Sequence, residues 1–172
     1  MSPAGGKTPE QLARENIDAA LDEAGWVLQD REAMNVGAGL GVAIREFKTD
    51  AGFADYLLYV NRKPAGVIEA KREGVVLTGV EAQTKDYASR LPREIPAPIR
   101  PLPFLYESTG ADTRFTNLLD PTPRSRRIFE FHQPQTLWAW LDAAMAIKDG
   151  RPDAPAAATF LGRMKLDRKS VV

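Results

Sequence analysis

Residues 54–74 read ADYLLYVNRKPAGVIEAKREG, two apolar runs joined by Asn61-Arg62-Lys63-Pro64. Apolar runs of this length around a short polar connection predict a β-hairpin, with strands over 54–60 and 66–72. Successive strand residues face opposite ways, so Tyr56, Leu58 and Val60 share one face and Asp55, Leu57 and Tyr59 the other. Because both faces are largely apolar, this strand belongs inside a sheet. The same alternation puts Val67, Glu69 and Lys71 on one side and Ile68 and Ala70 on the other. A hairpin turning about Arg62 sets Asp55 opposite Glu69, whereas a slip of one residue sets it opposite Ala70.

The first register brings two carboxylates together. Like charges about 5 Å apart across a strand pair destabilise the sheet unless something positive stands with them. Lys71 or a metal ion meets that need. An unpaired buried acid would otherwise cost several kcal/mol or take up a proton. Hard oxygen ligands that leave coordination positions for water and phosphate suit Mg²⁺. The arrangement fits phosphodiester hydrolysis, which needs an activated water, charge stabilisation at phosphorus and help for the leaving oxygen. Lys71 would orient or deprotonate the water, or neutralise developing charge. The competing interpretation of Glu69 and Lys71 is an exposed salt bridge worth about 0–1 kcal/mol, and spacing alone does not separate the two.

On the amino-terminal side, Thr8, Pro9 and Gln11 form a capping-box pattern that predicts a helix. Leu12, Ile17, Ala20, Leu21 and Ala24 continue it at near-helical spacing, and Gly25 ends it before Trp26. Residues 30–41 read as a loop and 42–47 as a strand. On the carboxyl-terminal side, 78–90 predicts a helix. Five prolines between 92 and 103 exclude regular structure over most of that span. Strands are expected at 104–108, 113–116 and 127–131, and a helix at 135–147 with Leu137, Trp138, Leu141 and Met145 in register. Of Trp138 and Trp140, two residues apart, one should pack inward. Residues 148–172 lack sustained periodicity and read as a linker or tail. The pattern predicts an α/β fold, a central mixed sheet flanked by helices.

Composition narrows the chemistry. A chain of 172 residues, 44% hydrophobic, can build one sizeable core. Its 23 basic and 23 acidic residues cancel, so long-range capture of nucleic acid is weak. The absence of cysteine excludes disulfides, thiolate metal sites and a cysteine nucleophile, and the single His132 excludes a histidine-rich zinc site. No apolar run is long enough to span a membrane and the start lacks a secretory layout, which predicts a cytoplasmic protein. There is no GxxxxGK[ST] phosphate loop. His132 reads as a structural group, and Arg124, Arg126 and Arg127 as solvated surface or a phosphate or domain contact.

Asp55 followed by Glu69-Ala70-Lys71 at the end of an apolar strand resembles the PD-(D/E)xK nuclease motif, with Ala54 where the name-giving proline would stand. Gln83-Thr84-Lys85-Asp86-Tyr87 is similar to the Q-x-x-x-Y motif of one branch. More narrowly, Ala24-Gly25-Trp26, ADYLLYVNRKPAGVIEAK, PLPFLYESTGADTRFTN and DPTPRSRRIFEFHQPQTL resemble the amino-terminal nuclease region of the motor (R) subunit of type I restriction enzymes. That resemblance implies a restriction-endonuclease-like core over 1–147, with 148–172 leading towards a helicase-like motor. It implies Asp55 and Glu69 as metal ligands, Lys71 as the catalytic lysine, and Gln83 and Tyr87 as supporting or DNA-contacting residues. A first-helix carboxylate often completes such sites, with Glu10 the better match and Glu15 the alternative. The cofactor implied is Mg²⁺, with Mn²⁺ as a substitute, and ATP only through the motor. The implied partners are duplex DNA and the modification and specificity subunits, with no membrane. Two other functions stay open: a DNA-binding or docking module without turnover, and a stand-alone repair or junction nuclease.

Overall fold

Thr8 Oγ1 accepts from the Gln11 N–H at 3.2 Å while Gln11 Oε1 accepts from the Thr8 N–H at 2.8 Å, so the predicted capping box starts α1 (Pro9–Glu23). The buried stripe runs through Ala13, Ile17 and Leu21, leaving Leu12 on the solvent side. The computed structural model describes residues 5–167. After α1 come β1 (Val27–Asp30), a short 3₁₀ turn, β2 (Gly41–Thr49), β3 (Gly52–Val60) and β4 (Lys63–Ala70). Then follow α2 (Glu81–Ser89), β5 (Phe104–Ser108), β6 (Thr113–Asn117), β7 (Arg126–Ile128), α3 (Pro134–Asp149) and α4 (Ala154–Asp167).

Among the described residues seven strands form one sheet in chain order. β1 lies parallel to β2, β2 to β4 form an antiparallel meander, β5 joins β4 in parallel, and β6 and β7 follow antiparallel. The α2 segment makes the crossover that a parallel β4–β5 pair requires. On one face α1 and α3 bury Ile17, Leu21, Leu137, Trp140 and Leu141 against Tyr56, Leu58, Val60, Ile68, Phe104 and Phe115. On the other, Ala88 and Leu91 cover Leu57, Tyr59, Val67 and Leu105. Cover on both faces, by α1 and α3 on one side and by the end of α2 and the segment after it on the other, explains why the hairpin strands are apolar on both sides. The fold is the expected α/β one, a mixed sheet flanked by helices.

The hairpin register is the first of the two weighed from sequence: Tyr56 pairs with Ile68, Leu57 with Val67 and Leu58 with Gly66. Its turn is tighter than expected. Asn61 and Arg62 both take positive φ, 46° and 64°, as a two-residue loop between twisted strands requires. Lys63 and Pro64 therefore belong to β4, and the register shifts by one residue at Ala65 of β4, opposite the Leu58–Tyr59 step of β3. Gly66 sits where β4 meets β5: a Cβ there would lie 2.4 Å from the Phe104 carbonyl oxygen.

Four further elements differ from the sequence reading. β1 was not foreseen and ends at the first residue of the expected loop, α2 is shorter than 78–90, β7 covers 126–128 rather than 127–131, and 154–167 is helical rather than irregular. Pro155 falls in the first turn of α4, where a missing N–H is harmless, and Ala157 and Leu161 pack on Ala143 and Ala146 of α3. The proline-rich span is irregular, as expected, and is held by Arg100, which donates to the carbonyl oxygens of Leu91, Pro92 and Ile95. Trp140 packs inward with Phe104 and Phe115, while Trp138 is half-buried beneath the Lys63 ammonium. Among the described residues no helix is long and apolar enough to cross a membrane.

Candidate active site

β4 ends at Ala70, yet the Lys71 N–H still donates to Ser108 O on β5 at 2.8 Å, which fixes the backbone of Glu69-Ala70-Lys71. Asp55 Oδ2 accepts from the Ala70 N–H at 2.8 Å, so the first acid is tied to the middle residue of that tripeptide. Glu69 is 5% exposed. Its Oε1 lies 3.1 Å from Lys71 Nζ, and its Oε2 is buried with no hydrogen-bond partner among the described residues. Burial pushes the Glu69 carboxyl up to about 7, the nearby Asp55 charge adds to the rise, and Lys71 opposes it. The two acids therefore interact strongly.

Lys71 also donates to Gln83 Oε1 at 3.2 Å, and Gln83 Nε2 donates to Tyr87 Oη at 3.1 Å. Gln83 and Tyr87 stand one turn apart on α2. The tyrosine oxygen holds the amide nitrogen, which leaves the amide oxygen turned to the ammonium. Asp55, Glu69, Lys71, Gln83 and Tyr87 thus form one continuous run of contacts.

The first helix supplies a cation here rather than an acid. Arg14 Nη2 donates to Asp55 Oδ1 at 2.5 Å, and Arg14 Nη1 to Glu46 Oε1 at 2.9 Å. Glu15 instead pairs with Lys7, and Glu10 is an exposed residue of the first helical turn. Among the described residues no three His, Asp or Glu side chains are grouped closely enough to hold a metal ion, so Glu10 and Glu15 do not join the two acids in this conformation. Glu10, Arg14 and Asp18 occupy one helix face at four-residue intervals, and the helix lies such that Arg14 meets the sheet acid. Asp18 accepts from Arg45 and from Tyr56 Oη.

Sequence reasoning missed Arg14, Glu46 and Glu107. Neither Arg14, a charge on the polar side of an amphipathic helix, nor Glu46 carried a signal. Glu107 is fully buried and is the parallel-strand partner of Glu69, and an acid inside the apolar PFLYEST strand was its signal. His132 Nδ1 lies 2.7 Å from Tyr106 Oη, and its ring packs on Phe115 and Trp140, which is a core environment. Of the basic cluster, Arg126 faces Asp120 at 3.7 Å and Arg127 faces Asp112 at 2.8 Å.

The mixed sheet, with its paired acids at the hairpin and a crossover helix behind them, defines an α/β domain with a charged cluster at the end of β4. Residues 28–100 match the family model described as the second domain of the type I restriction enzyme EcoKI endonuclease subunit. The EcoKI endonuclease subunit of Escherichia coli (strain K12) is 38% identical over 77 residues, covering 38% of this chain and 7% of that subunit. A solved fragment assigned as an HsdR subunit of a type I restriction enzyme from Vibrio vulnificus YJ016 shares the fold. It aligns with TM-score 0.57 and 22% identity over 83% of this chain and 26% of that one. The likeness to the amino-terminal region of type I restriction enzyme R subunits, first seen in the motifs, is borne out by these matches. The chain spans a small part of either relative.

Proposed function

We propose that this chain is the Mg²⁺-dependent endonuclease domain of a type I restriction system, of the PD-(D/E)xK class, hydrolysing phosphodiester bonds of duplex DNA. The observation that carries this reading is the buried Glu69 Oε2, which has no hydrogen-bond partner among the described residues and stands beside the Asp55 carboxylate and the Lys71 ammonium. Two hard oxygen donors of this kind fit a divalent cation, which would relieve the repulsion that raises the Glu69 pKa. The chemistry a bound cation supplies is activation of water and stabilisation of charge at phosphorus.

The remaining work falls to the chain. Asp55 is oriented by the Ala70 N–H and Glu69 by the end of β4, so the ligands are preset by strand geometry. Lys71, held between Glu69 and Gln83, would set its ammonium beside the acids, where it would offset charge developing on a bound phosphate. Gln83 and Tyr87 position that lysine. DNA capture is left to neighbouring subunits and a motor, in keeping with the zero net charge.

The deciding experiment is a calorimetric titration of Mn²⁺ into the wild-type chain and into Asp55→Asn, with a short DNA duplex present and folding checked by circular dichroism. Saturable uptake lost in the variant supports the reading. Equal isotherms for two folded proteins would reject it in favour of a docking module without turnover. In an R subunit carrying this domain, Lys71→Ala should retain metal uptake while cleavage falls by at least about 100-fold. Cleavage at the wild-type rate would remove Lys71 from the chemistry.

A further inference from the structure

Both oxygens of Asp55 are engaged, Oδ2 by the Ala70 N–H and Oδ1 by the Arg14 guanidinium. The first bond is made by strand backbone and belongs to the fold. The second is made by a half-exposed side chain that can move. A cation approaching Oδ1 meets Arg14 there. Arg14 is at the same time bonded through its other terminal nitrogen to Glu46, whose side chain is 65% exposed.

Glu46 reaches that position through an irregularity in β2. It is a non-glycine residue with φ of 52°, a left-handed conformation that L side chains rarely adopt. Arg45 pairs with Tyr56 and Phe47 with Ala54, so Glu46 stands opposite Asp55. The alternation of faces is broken at Glu46: Ile44 and Phe47, three residues apart, pack in the same layer. Arg45 and Glu46, though adjacent, both bond residues of α1, to Asp18 and Arg14. Stored strain of this kind clusters at functional sites.

We propose, building on the nuclease reading above, that Arg14 is a built-in counter-ion for Asp55 that a divalent cation displaces, and that Glu46 is the second seat to which Arg14 is handed. Arg14 is thus a positioning residue. It neutralises Asp55 beside Glu69, limiting their repulsion, and it sets the affinity at which the acids take a metal. Glu46 lowers the cost of displacement, because Arg14 keeps one carboxylate partner after it leaves Asp55. A guanidinium suits this role because its fork holds two acids at once.

The test is the Mn²⁺ titration of the full chain with Arg14→Gln, Glu46→Gln and the double variant. Removal of the competing cation should lower Kd about tenfold, and removal of its second seat should raise Kd about three-fold. In the Arg14→Gln background, Glu46→Gln should change nothing, since there is no guanidinium left to hand over. Purely long-range fields would instead make the two changes additive, which would overturn the hand-off. Weaker or unchanged binding by folded Arg14→Gln would overturn the counter-ion role. Asp55→Asn separates the two levels. Uptake that survives it sinks the metal reading itself, whereas uptake it abolishes, with Arg14→Gln matching wild type, sinks only this inference.

Discussion

The Glu69 carboxyl holds its proton to about pH 7, well above its ordinary range, because it is buried beside Asp55. A group whose pKa rises on folding stabilises the fold fully below its unfolded value, and that contribution is lost as pH rises through the folded value. The metal-free protein should therefore lose stability between about pH 4.5 and 7. Glu69→Gln should raise the melting temperature at pH 8 in chelator, by several degrees for about 2 kcal/mol, and leave it nearly unchanged at pH 5. A destabilised variant at pH 8 would mean that Lys71 compensates the buried charge in full. The acids and the lysine were legible because charge on an apolar strand breaks a pattern. Arg14 was not, since an arginine on the polar side of an amphipathic helix breaks none. The sequence shows which helix face carries Glu10, Arg14 and Asp18, but not how far the helix slides along the sheet, and that displacement of one turn decides which residue meets Asp55.

At the level of elements, the β3–β4 hairpin was readable because alternation and a polar turn point to the same register. Only its turn was misjudged, because Lys63 and Pro64 look like loop residues and pair as strand. β1 escaped notice because four residues in parallel pairing carry too little alternation to register. α4 escaped because Ala157 and Leu161 form a stripe too narrow to show as a period. Arg62 holds a left-handed conformation at a tip where glycine has no steric penalty. Arg62→Gly should stabilise the domain by about 0.5–1 kcal/mol in urea unfolding. Gly66→Ala should do the opposite, by about 2–3 kcal/mol, because its methyl would meet backbone that cannot yield without parting β4 from β5. Since β5 holds the Lys71 backbone, the same change should weaken metal uptake more than its fold cost alone suggests. Unaltered Mn²⁺ affinity in a folded Gly66→Ala would show that β5 is not needed to shape the site.

For the whole molecule, the site sits where the two helical layers reach the sheet from opposite sides, Arg14 arriving with α1 and Gln83 with α2. α4 stands apart from it, covering small residues of α3 through Ala157 and Leu161. A chain ending at residue 152 should keep its sheet and its Mn²⁺ uptake, and lose only about 2 kcal/mol, the worth of one buried leucine-sized contact. Loss of uptake would make α4 part of the working domain. The strand order has a further consequence. From β2 onwards, each strand takes its place beside the one synthesised just before it. Non-local loop closure is the slow step in sheet formation, and here it is confined to the connections between neighbours. The sheet can therefore be laid down strand by strand as the chain leaves the ribosome, with no early edge kept waiting for a distant partner.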